Sequence, residues 1–266
     1  MKYVPMPPRG YVVSHKKNLV VRFIPSMTKE DYCVYFFCLK YLENEIAENR
    51  VAGTFGGWSL GGRIRSLENF DDPPSIPDGT YDRFAWKKAW TEYQERAYQL
   101  YRRNRHQYFI VCDIANYYDC IRLNRLETSV RGAVSKEKTQ VVNLLFYFLS
   151  NWGKRDQNYG PLAIGLPQDE VGDCSRILAN FYLQNYDQLM FDATRAANGK
   201  YLRYADDQII GAMDEASAKK LMFDASKELA KLGLNLNASK ALCLTRQEFH
   251  DYWSFDIFTL LVDPDN

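Results

Sequence analysis

The sequence predicts an α+β fold: a ferredoxin-like antiparallel sheet of the split βαβ kind, backed by helices. Three observations carry this. Two short apolar stretches, Tyr201 to Tyr204 and Ile209 to Met213, flank a tight Asp206-Asp207 reversal, which reads as a hairpin. An upstream apolar run, Tyr108 to Cys112, reads as a buried strand ending at Asp113. Between and after these strands lie helical patterns from Ser135 to about Trp152, Ser175 to about Ala197, and Asp214 to Gly233.

Each element has its own signal. Residues 1–20, with Pro5, Pro7, Pro8 and Gly10, read as an extended leader. Apolar residues three and four apart, from Tyr32 through Tyr35, Leu39 and Leu42 to Ile46, predict a helix with Thr28 as its cap. Gly53 to Gly62 lacks the Lys-Ser/Thr of a phosphate loop and reads as a flexible loop. Asp71 to Gly79, with three prolines, reads as a surface loop. Trp86 to Arg103 predicts a long amphipathic helix carrying Trp90, Tyr93, Ala97 and Leu100. Ser135 is the candidate N-cap of the next helix, with Val141, Leu144, Leu145 and Phe148 inward. Gly160 to Gln168 reads as a loop. Asp214 caps a helix that Gly233 stops, and Ala241 to Thr245 reads as a last strand.

Composition narrows the function classes. The 266 residues suffice for one good-sized core or two small domains, and 46% hydrophobic with 15% aromatic content is globular. No run of eighteen apolar residues and no secretory leader is evident, so a membrane partner is not expected and a cytoplasmic location is. Six scattered cysteines with no Cys-x-x-Cys pair point to reduced thiols, with no zinc site and no disulfide framework. The net charge of +1 shows no electropositive footprint. Local basic clusters exist, above all Arg96, Arg102, Arg103, Arg105 and His106, with Tyr98 and Tyr101 interleaved for stacking. They read either as a solvated helix face or as contacts to a nucleic-acid backbone.

The chemistry rests on the carboxylates. Asp113 at a strand end and Asp206-Asp207 at a hairpin form a set of hard oxygen donors suited to Mg2+. Two-metal phosphoryl-transfer sites are assembled this way, with ions about 3.5–4 Å apart.

The motifs around these residues resemble those of the reverse transcriptases. Asp113 with Tyr117-Tyr118-Asp119 is similar to the first palm motif of that family. Gly165-Leu166-Pro167-Gln168, then Ser175, Leu178-Ala179-Asn180 and Tyr182-Leu183, resemble the second. Tyr204-Ala205-Asp206-Asp207 resembles the third, and Leu232-Gly233-Leu234-Asn235-Leu236-Asn237 with Lys240 the fourth. The resemblance is fullest from Tyr108 to Leu244, and thinner from Val20 to Arg65, where Arg22, Pro25 and Gly56-Gly57 resemble the fingers. Its flavour is bacterial, of the group II intron, retron and defence-associated or abortive-infection kinds. Asp169 stands where the family usually has glycine after Leu-Pro-Gln.

The resemblance implies a right-hand polymerase: fingers and N-terminal region over 1–106, a catalytic palm over 107–245, and the start of a connection or thumb over 246–266. Only some twenty residues follow the last strand, so the thumb itself is expected from elsewhere. The activity implied is RNA-directed DNA polymerisation, in bacterial anti-phage defence with a dedicated noncoding RNA. Asp113 and Asp206 would bridge two Mg2+ ions, with Mn2+ as a substitute, and Asp207 would ligate or tune the pair. The Ile114 carbonyl would add a ligand. Tyr118 would be the steric gate against a ribose 2′-hydroxyl, or else a core aromatic beside Tyr117. Gln168 would bond the incoming nucleotide or the template. Lys240 would protonate pyrophosphate, or else be a solvated lysine. Arg22, Arg63 and Arg65 compete to clamp the triphosphate. Asn180 reads as structural before catalytic. Partners implied are an RNA template or noncoding RNA, a DNA product, dNTPs, and a homo-oligomer or accessory subunit. Competing readings are a template-independent DNA polymerase and a non-catalytic RNA-binding or assembly module. An RNA-dependent RNA polymerase is disfavoured by the Tyr-Ala-Asp-Asp box and Tyr118.

Overall fold

A computed structural model describes residues 3–15, 21–48, 50–58, 60, 85–103, 105–152, 165–168 and 173–257. Strands β1 (Gly10–His15) and β2 (Val21–Ser26) pair antiparallel, so the leader ends as one arm of a hairpin. Helix α1 (Lys29–Ala47) starts as expected: the Thr28 side chain accepts from the Asp31 amide at 3.1 Å. Helix α2 (Ala85–Arg102) buries Ala89, Tyr93, Ala97 and Leu100.

The sheet holds β3 (Thr54–Phe55), β4 (Tyr108–Cys112), β5 (Lys200–Tyr204), β6 (Asp207–Ala212) and β7 (Leu242–Thr245), in the order β3-β5-β6-β4-β7. Strand β4 lies between β6 and β7 and is antiparallel to both. The sheet is mixed, not purely antiparallel, because β3 runs parallel to β5. That strand overturns the expectation of a flexible glycine-rich loop. Val51 to Phe55 are buried, and Gly53, at φ +81°, lies so close to β5 that a Cβ there would sit 2.5 Å from the Tyr201 carbonyl oxygen. At Gly53 the missing side chain serves this close approach.

Helices supply the backing layer: α3 (Tyr117–Cys120), α4 (Leu123–Ala133), α5 (Thr139–Asn151), α6 (Asp173–Tyr182), α7 (Gln184–Ala196) and α8 (Glu215–Leu232). Three expectations change here. The single helix read from Ser175 is two, parting at Leu183, with α6 packed on α1 and α7 on β5 and α8. The apolar pattern runs through this break without glycine or proline, so periodicity does not reveal it. Ser135 caps no α-helix: a 3₁₀ turn, Lys136–Lys138, intervenes, and its side chain makes no capping bond. The inward face of α5 is rotated, with Val142, Leu145, Phe146, Phe148 and Leu149 buried while Val141 and Leu144 are partly so. Helix α8 follows the reading closely, with Asp214 accepting from the Ser217 amide at 2.8 Å and Gly233 at φ +81°.

Helix α9 (Arg246–Trp253) opens with a capping box between Thr245 and Glu248. Its Phe249 stacks on Phe109 of β4 at 4.1 Å between centroids, 2° from parallel. Tyr98 and Tyr101 of α2 pack on Phe255, just past α9. These two tyrosines therefore join a second apolar core instead of offering a stacking platform. Arg96 and His106 are buried as well, which leaves Arg102, Arg103 and Arg105 as the exposed part of that basic segment. Asp71 to Gly79 lies outside the described residues.

Phe249→Ala should cost about 3–5 kcal/mol, as truncations of fully buried aromatics do. Chemical denaturation measures it; a loss under about 1 kcal/mol would mean α9 is not part of the sheet's core.

Candidate active site

The β4 register sets the site. Cys112 pairs with Gln208, so Asp113 emerges beside the β5–β6 turn that carries Asp206 and Asp207. Asp113 is buried, Asp206 half-buried and Asp207 exposed. Lys240 reaches the same place: its Nζ lies 2.6 Å from Asp113 Oδ2, although its side chain is 63% exposed. The largely solvated lysine thus pairs with the strand-end carboxylate. The segment before it is tied to β4 by the Asn237 amide on the Asp113 carbonyl and the Ala115 amide on the Asn235 carbonyl, each 2.8 Å. This bridge uses the groups on either side of Ile114 and leaves the Ile114 carbonyl out of the pairing.

Negative charge dominates. The Asp207 carboxyl is pushed up to about 6, by partial desolvation first, then by Asp206 and Asp113, with Lys240 opposing. Its outer edge stays in water, so its carboxylate keeps access to solvent cations. Asp113, and then Asp207 and Asp206, hold the Lys240 ammonium above its ordinary value, against partial burial. Tyr252 of α9 feels the same field; burial and then Asp207 raise its phenol. Nothing in the sequence had singled it out.

The residues fit a divalent cation. Asp113 Oδ1 is buried and has no hydrogen-bond partner, a costly state that a cation would relieve. Among the described residues no three Asp, Glu, His or Cys side chains converge to hold a metal unaided. Mg2+ does not require that, since it binds through one or two carboxylates completed by water and substrate phosphates.

The turn is braced from within. Arg203 of β5 is fully buried and grips Asp187 of α7 with two bonds, Nε to Oδ1 at 2.7 Å and an Nη to Oδ2 at 2.6 Å. Its other Nη donates to the Ala205 carbonyl at 2.7 Å and to Asn180 Oδ1 at 2.8 Å. Tyr201 donates to Asp187 Oδ1 at 2.8 Å. Burial alone pushes the Asp187 carboxyl up, but three donors converge on it. The guanidinium, lowered by burial and raised more strongly by Asp187, stays charged, so the pair is ionic. Ala205 takes φ +53°, a conformation costly for a side-chain residue and held here by Arg203. Asn180 also donates to the Gly57 carbonyl at 2.9 Å, which joins α6 to the segment after β3. Arg203 and Asp187 were not among the sequence candidates.

Tyr118 is half-buried and lines a cleft of about 290 Å³ beside the turn. Its carbonyl accepts from the Leu166 amide at 3.0 Å, and a Cβ on Gly165 would lie 1.9 Å from that oxygen. Gly165 is therefore a packing requirement that clamps the second motif onto the first. Gln168 ends this segment half-buried. Arg22 is on β2 opposite Ser14, in the hairpin apart from the five-stranded sheet. Arg63, Arg65 and Asp169 lie outside the described residues.

The Asp207 shift has a signed consequence. A carboxyl raised in the fold prefers its proton there, so this contribution to stability is full below about 4 and is lost as pH rises through about 6. In EDTA the melting temperature of wild type should fall across that window, and Asp207→Asn should flatten the fall. Parallel melting curves for both proteins would contradict the crowding of these carboxylates.

Residues 65–256 match the family described as reverse transcriptase (RNA-dependent DNA polymerase). Among curated protein sequences none matches. Among solved structures the chain is similar to apo telomerase from Candida tropicalis, at TM-score 0.48 and 13% identity over 89% of this chain and 52% of that one. It is also similar to that telomerase truncated from its C-terminal domain, at TM-score 0.44, 13% identity, 88% and 59%. A third similar structure is the telomerase in complex with a fragment of telomeric RNA, at TM-score 0.46, 14% identity, 88% and 47%. The chain thus spans about half the length of these structures. With 65–256 holding the carboxylates, the hairpin and Lys240, the chain belongs to the reverse transcriptase family.

Proposed function

We propose that the chain is the catalytic part of an RNA-directed DNA polymerase that adds deoxynucleotides to a primer 3′-hydroxyl or a protein hydroxyl. The observation that carries this is the meeting of Asp113, Asp206, Asp207 and Lys240 at one sheet end, with Asp113 Oδ1 left without a partner.

Asp113 and Asp206 hold the cations, with the Ile114 carbonyl as a further oxygen donor. Two bound Mg2+ ions, or Mn2+ in their place, supply charge stabilisation to the attacking and leaving oxygens. Asp207 adjusts that charge from the turn. In the reaction the hydroxyl gives up its proton to solvent, its oxygen bonds to the α-phosphorus, and the bond from that phosphorus to the bridging oxygen breaks so that pyrophosphate leaves. The protonated Lys240, exposed enough to turn away from Asp113, gives its proton to the leaving group. Tyr118 closes the space beneath the sugar, and Gln168 bonds the nucleotide or the template. Arg22, Arg63 or Arg65 clamps the triphosphate through a bidentate fork. Fingers over 1–106, palm over 107–245 and the start of a connection over 246–266 remain the domain reading.

The finer assignment is bacterial anti-phage defence with a dedicated noncoding RNA as template. It is supported by the motif resemblance and by Asp169, whose carboxylate would repel a passing phosphate backbone. That same repulsion favours a second reading, template-independent synthesis. A near-neutral charge also suggests that a further copy, a subunit or a structured RNA contributes to nucleic-acid grip.

Incorporation of labelled dNTPs and NTPs, with and without RNA template, tests these readings together. Asp113→Asn and Asp206→Asn should each abolish incorporation, by at least about a hundredfold, while keeping the wild-type circular dichroism. Near-wild-type synthesis by either would sink the assignment. Tyr118→Ala should raise NTP use relative to dNTP use; an unchanged ratio would return Tyr118 to the core.

A further inference from the structure

The end of the sheet away from the carboxylate turn gathers positive charge around a buried histidine. His106 leads into β4 and is 3% exposed. Its ring has a built seat. A Cβ on Gly211 of β6 would lie 3.1 Å from His106 Cγ and 3.3 Å from Leu100 Cδ2 of α2, so the missing side chain lets the ring fit between strand and helix. One ring bond runs to the Asn198 backbone, while Nδ1 is buried without a hydrogen-bond partner. A buried nitrogen in that state carries an unrelieved desolvation cost.

Cations surround the ring. Lys200 pairs with Gly211 across β5 and β6, which puts it on the imidazole's face of the sheet. Arg105 precedes His106 and is exposed. Arg246 opens α9 with its guanidinium 4.2 Å over the Tyr101 ring, and its Nη1 is likewise buried without a partner. Burial holds the imidazole below its ordinary value; the Asn198 bond opposes this, and Lys200, Arg105 and Arg246 add to it. The carboxylates of α9 and just past it are committed elsewhere: Glu248 to the Thr245 cap, Asp251 and Asp256 to His250. Converging cations with two buried nitrogens left over complement an oxyanion, which accepts several charged N–H groups at once. Lys200 and Tyr204 stand at opposite ends of β5, about 13 Å apart at about 3.3 Å per residue, so this is not the catalytic turn.

We propose that this end of the sheet binds a phosphate group between Arg105, Lys200 and Arg246, with His106 beneath them. The site goes beyond the polymerase reading and does not depend on it. A bound oxyanion favours a second N–H on the ring, so binding takes up a proton at Nδ1. The phosphate belongs either to a small free molecule or to the backbone of an RNA strand.

The test is equilibrium dialysis of the full chain with labelled sulfate at fixed ionic strength in EDTA. Sulfate keeps one charge between pH 7.5 and 6.0, so any pH dependence comes from the protein. Wild type should bind it saturably and about threefold or more tighter at pH 6.0, since proton uptake raises affinity as pH falls. His106→Gln should lose that dependence. Arg246→Gln and Arg105→Gln, each with wild-type circular dichroism, should weaken binding about threefold or more. Inorganic phosphate should displace the sulfate. Displacement also by oligo(A) without terminal phosphates assigns a strand backbone; displacement by phosphate alone assigns a small molecule. Absence of saturable binding, affinity unchanged in the folded arginine variants, a flat pH profile in wild type, or failure of phosphate to compete would each overturn the proposal.

Discussion

The buried Arg203–Asp187 pair is the constraint on which the rest of the site depends. A hairpin turn that presents two adjacent carboxylates repels itself, and Ala205 is held at a positive φ. Something beneath must hold that backbone in place. Arg203 does so through the Ala205 carbonyl, and Asp187 holds Arg203 against α7. Removing one partner of such a pair generally costs about 3–5 kcal/mol, because the survivor is stranded without water. The same guanidinium grips Asn180, which grips Gly57, so α6, α7, β5 and the segment after β3 share one hydrogen-bonded hub. The turn is rigid because four elements meet under it.

Above that hub the design inverts. The interior charges are paired with good geometry, whereas the outward carboxylates crowd each other and leave Asp113 Oδ1 without a partner. Lys240 neutralises part of this, with one contact and from a mostly exposed side chain. A site built this way has a deficit of positive charge, sharpest at the buried Asp113 Oδ1. Rigid support below and unsatisfied charge above is the arrangement expected for a cation-dependent centre whose geometry must not relax when the cation leaves.

Much of this was legible in the sequence, and the reasons differ by residue. Asp113, Asp206 and Asp207 stood out because carboxylates beside buried strands conflict with local preference, and such conflicts mark function. Thr28, Asp214 and Gly233 were readable because caps act through neighbours three residues away. Arg203 was not, because an arginine within an alternating strand pattern looks like a solvent-facing residue; only its partner on α7, sixteen positions earlier, makes it interior. The Gly53 segment was misread for a related reason. Glycine signals conformational freedom, and whether that freedom serves a loop or a close approach is decided by Tyr201, far along the chain. The cleft beside the turn depends on residues from α2, α3, α6 and the turn, which no local window contains.

The parallel pairing of β3 with β5 has a consequence for how the chain assembles. Thr54 meets Arg203 across nearly 150 residues, whereas β5 and β6 are joined by a tight turn. Loop-closure entropy makes the local hairpin form early and the distant parallel edge late. The last strand to arrive is only two residues long, so little of its own pairing resists reopening. The N-terminal third thus joins a sheet whose carboxylate turn already exists. Its Gly56-Gly57 corner closes one side of the cleft in that final step, where the Asn180 amide on the Gly57 carbonyl ties it to α6.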